Sequence, residues 1–200
     1  MKKRSIRIAV LFLMILSLVA FVFAARKEKL SPKYSRFTFK EQTETTILLI
    51  NIELARFHAG DDYFPILFAL GNSGDAGLPV NAENFTLIDE RGKNHPVVPL
   101  SEIKEKYRQL ESDKARLDGI FFPEGMVFDL YYRAYLNLYP ATTEGVSIDK
   151  ITLRKFEWVK DLLYFKRPEK FLGRILTLRY QSKSLEKPIE VRFMIERSID

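Results

Sequence analysis

The stretch Ile189-Glu190-Val191-Arg192-Phe193-Met194-Ile195-Glu196 decides the fold class. Ile189, Val191, Phe193 and Ile195 alternate with Glu190, Arg192 and Glu196. Successive side chains of a strand point to opposite faces. A period of two therefore sets an apolar face against a core and a polar face in water. The stretch predicts a final β-strand.

The same period recurs upstream. Leu48, Ile50, Ile52 and Leu54, backed by Asn51 and Glu53, predict a half-buried strand of about ten residues. Phe64, Ile66, Phe68 and Leu70 predict another. Pro65 belongs near its start or on an edge, because proline donates no ladder hydrogen bond. Gly71-Asn72-Ser73-Gly74-Asp75-Ala76-Gly77 is a loop by composition. Phe85, Leu87 and Val97-Val98 flank Asp89-Glu90-Arg91-Gly92-Lys93, a hairpin whose turn uses Gly92 at positive φ.

Over residues 101–118 the period changes. Ser101 offers a cap, and Ile103, Tyr107, Leu110 and Leu117 share one helical face. This predicts one amphipathic helix on or beside the sheets. Pro123-Glu124-Gly125 predicts a turn before an aromatic-rich strand over residues 127–135. Residues 147–159 and 174–181 predict two more strands, and 161–165 fits a short helix or a loop. There is no internal repeat. The whole is mostly β: a sandwich of about eight short strands with one inserted helix, in a single domain over residues 37–200.

The start of the chain has a different character. Lys2, Lys3, Arg4 and Arg7 precede an apolar run from Ile8 to Ala25 broken only by Ser17. That is an export signal: the basic end stays in the cytosol and the apolar part enters the membrane. Two outcomes fit residues 1–25. One is a signal peptide cleaved after Ala24, with Val22 and Ala24 as the small residues. The other is an uncleaved signal anchor that leaves the domain tethered outside the inner membrane. Residues 26–36, polar and basic with Pro32, read as a linker. The expected location is periplasmic or extracellular.

The segment also accounts for the charge. The chain carries 32 basic and 26 acidic residues, net +6. Without residues 1–24, 28 basic residues face the same 26 acids, net +2. The basicity is mainly that of the targeting segment and gives no support to a nucleic-acid partner. With no cysteine, there is no disulfide framework, thiol nucleophile, thiolate metal site or lipid-attachment Cys.

A family resemblance rests on Tyr63-Phe64-Pro65-Ile66 through Gly71-Asn72, then Asn84-Phe85-Thr86-Leu87-Ile88-Asp89 and Gly92. Phe122-Pro123-Glu124-Gly125, followed by Val127-Phe128-Asp129-Leu130, adds to it. These residues resemble the exported immunoglobulin-like domains of the DUF4352 type over about residues 45–135, taken from the pattern alone. In that family a strand ending in a polar turn leads to a Phe-x-Leu-x-Asp-x-x-Gly hairpin, and a Pro-x-Gly turn to an aromatic strand. The resemblance implies an immunoglobulin-like β-sandwich and an exported location, and no activity.

Catalytic and metal motifs are sparse. His58 and His95 are the two histidines. Asp61 and Asp62 lie near His58, but no second His stands at metal-ligand spacing, so both histidines are expected as solvated loop residues. Asp61, Asp62 and Asp75 lack the spacing of a Ca²⁺ loop and read as turn formers. No Gly-x-Ser-x-Gly, Ser-x-x-Lys or phosphate loop is present. No cofactor is implied.

The leading expectation is a non-enzymatic envelope domain that binds or scaffolds a protein partner. A membrane-peripheral module is the alternative. Its instrument would be the basic-aromatic segment 150–179, with Lys155, Trp158, Lys160, Lys166 and Arg167 on an anionic surface. A third reading is a hydrolase whose carboxylate site draws on the loops at 59–62 and 72–77.

Overall fold

A computed structural model describes residues 29–120, 122–141 and 145–196. The stretch 1–25, expected to act as an export signal, lies outside the described residues. The chain is mostly β. Its order is β1 (Thr38–Gln42), β2 (Thr46–Asn51), α1 (Glu53–Phe57), β3 (Tyr63–Asn72), β4 (Leu78–Asn81), β5 (Phe85–Ile88) and β6 (Asn94–Pro96). Then come α2 (Leu100–Lys106), α3 (Leu110–Arg116), α4 (Glu124–Val127), β7 (Tyr132–Arg133), β8 (Lys150–Leu153), β9 (Glu157–Lys166), β10 (Ile175–Tyr180) and β11 (Ile189–Met194).

Five strands form one sheet in the order β1-β2-β3-β9-β7, and four form another in the order β11-β10-β5-β6. β4 and β8 pair separately. The two larger sheets meet through ring contacts. Phe68 of β3 lies 4.6 Å from Phe85 of β5, and Phe39 of β1 lies 6.2 Å from Phe193 of β11.

The other face of the five-stranded sheet is covered by the segment that carries the helices. Tyr107, just past α2, packs 6.0 Å from Tyr63 and 5.2 Å from Tyr164, and Phe128 stacks on Trp158 at 5.0 Å. A sheet covered on both faces needs apolar residues at every position, not at alternate ones. β2 and β3 are accordingly buried from end to end. This is why the expected half-buried strand around Leu48 is not what forms. β2 stops at Asn51, and Ile52 and Leu54 belong to the start of α1.

Pro65 sits third in β3, opposite Tyr164. Tyr164 gives its carbonyl to the Val98 N–H at 2.8 Å, so its hydrogen-bonding edge faces away from β3. The missing N–H of Pro65 therefore points to the side where β2, whose register runs only to Leu67, has already ended. The hairpin of β5 and β6 forms as expected, with Gly92 at φ 77°.

Four other expectations are corrected. The single helix over 101–118 is two short ones, α2 and α3, with a break at Tyr107–Gln109. Pro99 stands at the start of α2, and Ser101 does not cap it. Residues 124–127 are helical, so the aromatic strand over 127–135 shrinks to the two residues of β7. The strand over 147–159 is split where Phe156 turns at φ 59°. Residues 161–165, expected as helix or loop, form the middle of β9. About eight strands thus become eleven among the described residues.

Part of the stretch read as a linker is bonded to the domain. The Ser31 N–H donates to the Arg192 carbonyl at 2.9 Å, and its hydroxyl donates to Glu41 at 2.5 Å.

Candidate functional site

The most unusual chemistry in the molecule surrounds His58, just past the end of α1. The residue is 2% exposed. Nδ1 lies 2.7 Å from Asp61 Oδ2, and Nε2 lies 2.7 Å from Asp113 Oδ1 on α3. The other oxygen of Asp113 accepts the hydroxyls of Tyr107 at 2.6 Å and Tyr164 at 3.1 Å. Gln109 donates to Asp61 at 3.1 Å. A carboxylate facing each ring nitrogen favours a ring that donates at both, the imidazolium form.

Burial pulls the His58 pKa down, but hydrogen bonds and charge from Asp113 and Asp61 outweigh it and raise the pKa above the ordinary value. Burial, together with Asp113, pushes the Tyr107 and Tyr164 phenols up, so both stay protonated donors.

This cluster ties three elements together: α1, α3 and β9. Helices of seven residues are marginal in isolation. Here Ile103, Tyr107 and Leu110 are buried, and Asp113 anchors the same face. Below, on β9, the Asp161 carboxylate accepts from Lys114 at 2.5 Å, from the Leu138 N–H at 2.6 Å and from the Leu162 N–H at 2.8 Å.

His58 is thus a buried ion-pair centre and not a solvated loop residue. His95, expected likewise, is half-buried and lies 3.1 Å from Asp89. The missed partner was Asp113. It stands three residues after Leu110, on the apolar face of the predicted helix, and a charge on a buried face is the signal that marks it.

A pH dependence follows from the raised pKa of His58. The charged ring favours the fold fully below its unfolded value of about 6.5, and that contribution is lost as pH rises through the folded value. Urea midpoints of the native protein should fall between about pH 6 and pH 9, and those of His58→Gln should change less. Parallel slopes would show that His58 does not carry the titration.

The five residues expected on an anionic surface do not assemble into one. Trp158 is 7% exposed, beneath Phe128 and with Arg133 over its ring at 5.6 Å. Lys155 pairs with Asp75 at 2.8 Å, Lys160 with Glu124, and Lys166 with Glu102 at 2.9 Å. Arg167 donates to the Gly60 carbonyl at 2.7 Å and lies 3.9 Å from Asp62. Lys155 and Lys166 flank opposite ends of β9, a strand of ten residues that spans about 33 Å. The loops at 59–62 and 72–77 also sit at opposite ends of β3, so the carboxylates of the hydrolase reading do not converge there.

The backbone near Gly71 explains how the helical cover seats. A Cβ at that position would lie 2.3 Å from a ring atom of Phe128, so only glycine lets Phe128 reach its stack on Trp158. From Phe128 an aromatic chain runs outward through Tyr131 to Phe156, with centroids 5.4 and 5.6 Å apart. Around it Met126, Leu130, Tyr132 and Tyr135 are exposed, Leu130 at 80%. β7 is the edge strand here. The N–H groups of Tyr132 and Ala134 donate to the carbonyls of Phe156 and Trp158 at 2.8 Å each, which turns the N–H and C=O of Arg133 outward.

No family model matches the chain, and no curated protein matches it. The DUF4352 resemblance is therefore not supported as membership, and its Pro-x-Gly element begins a helix here. Three solved structures are similar in part. The yjhA protein of Bacillus subtilis is 16% identical, with a TM-score of 0.42 over 77% of this chain and 95% of its own. A candidate lipoprotein of Bacillus subtilis, ycdA, is 13% identical with a TM-score of 0.41, over 78% of this chain but only 38% of its own. A protein of unknown function from Listeria monocytogenes is 14% identical with a TM-score of 0.40, over 81% of this chain and 85% of its own. Likenesses at this level assign neither a fold nor a function. Among the described residues no helix is long and apolar enough to cross a membrane, and no group of three or more acidic or histidine side chains is arranged to hold a metal ion.

Proposed function

We propose that this chain is a non-enzymatic domain exported to the cell envelope, where it binds a protein partner. The two facing sheets are, on this reading, the layers of the immunoglobulin-like β-sandwich that the hairpins resemble. The observation that carries the proposal is the edge at β7, uncovered among the described residues. Exposed Met126, Leu130, Tyr132 and Tyr135 surround a strand whose outer backbone groups are turned away from the sheet.

The occupant that fits is an extended segment of a protein partner. It would pair with Arg133 as a further strand and set apolar side chains among the tyrosines. Exposed apolar residues grouped in this way are characteristic of interaction sites. The His58 cluster supports the non-enzymatic part. Both imidazole nitrogens are occupied by carboxylates, so the ring has no free nitrogen to accept a proton from a substrate.

The test is a photo-cross-linking side chain at Tyr132, with one at exposed Lys183 as the control, in cells that make the protein. A dominant protein adduct is expected from position 132 only, and Leu130→Asp should abolish it. Identical adducts from both positions, or none, would overturn the reading.

A further inference from the structure

We propose that the face around Lys33, Arg36 and Arg56 docks this domain onto an anionic lipid bilayer. None of the three is in an ion pair among the described residues. Lys155, Lys160, Lys166 and Arg167, by contrast, each have a carboxylate. Lys33, Arg36 and Arg56 line one small cleft with Phe37, and exposed Glu196 is the carboxylate in it.

The cations lie over rings instead. The Arg56 guanidinium is 4.4 Å and that of Arg36 is 5.0 Å from the Phe37 centroid, and Lys33 Nζ is 5.8 Å from that of Phe39. Tyr34 is 40% exposed and Phe57, on α1, is 65% exposed. A guanidinium takes a phosphate oxygen pair through two parallel N–H groups, and a ring beside it sits well at headgroup depth. Cations left without carboxylates keep their full attraction for anionic headgroups.

The reach of the chain points the same way. It does so on the proposed reading of residues 8–25 as a membrane-directed segment. Ser31 is fixed to β11, and residues 26–30 alone separate it from the end of that run at Ala25. Five residues extend to about 18 Å at most. An inserted run would therefore hold the Lys33–Lys40 end of the domain against the headgroups. β1 and β7 are the two opposite edges of the five-stranded sheet, so the partner edge at β7 stays accessible.

The chain has no cysteine, which permits a clean test on the full-length protein. A single Tyr34→Cys or Tyr132→Cys carries an environment-sensitive dye, and the vesicles contain a doxyl-lipid quencher. They are made of phosphatidylcholine alone, or of phosphatidylcholine with phosphatidylglycerol. Stronger quenching at position 34 on the anionic vesicles is expected, fading at high salt. Arg36→Glu and Arg56→Glu should each shift the docked-to-undocked ratio about thirtyfold towards undocked, with near-ultraviolet circular dichroism unchanged.

Position 132 should respond to neither lipid charge nor salt. Equal quenching at 34 on both vesicle types, quenching that survives both reversals, or an anionic response at 132 would overturn the proposal. Flotation separates the two readings. A chain that floats only with anionic vesicles keeps the docking face and overturns the inserted run, and a chain that floats with neither overturns both.

Discussion

Replacing Asp113 with Ala should cost about 3–5 kcal/mol of folding stability, as expected when one partner of a buried ion pair is removed. The carboxylate is fully buried, and it serves His58 and two tyrosine hydroxyls at once. Truncation leaves an imidazolium facing one remaining carboxylate, Asp61, and two phenol donors without an acceptor. It also removes one of the two polar ties between α3 and β9, the other being Lys114–Asp161, so the loss should appear first in the helical cover. The measurement is urea unfolding followed by near-ultraviolet circular dichroism, which reads the packing of Tyr107 and Tyr164. Asp113→Asn keeps the shape and one acceptor, and should cost less. A double-mutant cycle with His58→Gln should show coupling between the two positions. A loss below about 1 kcal/mol for Asp113→Ala would show that water reaches the site and solvates the ring.

The second large effect belongs to Phe68→Ala, expected to cost about 3–5 kcal/mol. Phe68 is 0% exposed at the middle of β3, with its ring 4.6 Å from Phe85 in the facing sheet. Both neighbours of β3 are ladder partners, so the backbone cannot collapse into the space, and a cavity remains. Heat or urea should then unfold both sheets in one shifted transition. Two separated transitions would mean that the sheets are independent units, and that the Phe68–Phe85 contact is not what joins them.

Local chemistry made several features legible. The alternation at 189–195 is β11, and its apolar set Ile189, Val191, Phe193 and Ile195 is buried. The turn at Gly92 and the buried rows Leu48–Ile50 and Phe64–Phe68 were equally visible, because turn conformation and strand period act over a few residues. The long β9 was not. Lys160, Asp161 and Lys166 break its apolar pattern, and a distant residue meets each of these charges. Lys114 and the Leu138 N–H meet Asp161, Glu124 meets Lys160, and Glu102 meets Lys166. The helical face carrying Tyr107 and Leu110 was also visible, while the break between α2 and α3 was set by how it packs on Tyr63 and Tyr164.

What the sequence by itself determined is the β-rich class, the hairpin at Gly92, the last strand and an apolar core built on Leu48, Ile50, Phe68 and Phe193. Propensity, turn geometry and side-chain alternation are encoded residue by residue. Only the tertiary structure decided that the five-stranded sheet is covered on both faces, that β7 is its edge among the described residues, and that His58 is buried between Asp61 and Asp113. His58 and Asp113 are 55 positions apart, and their ion pair exists only once α3 has closed over β9. A charge is affordable in the interior when its partner arrives from elsewhere in the chain, and no local pattern records that arrival.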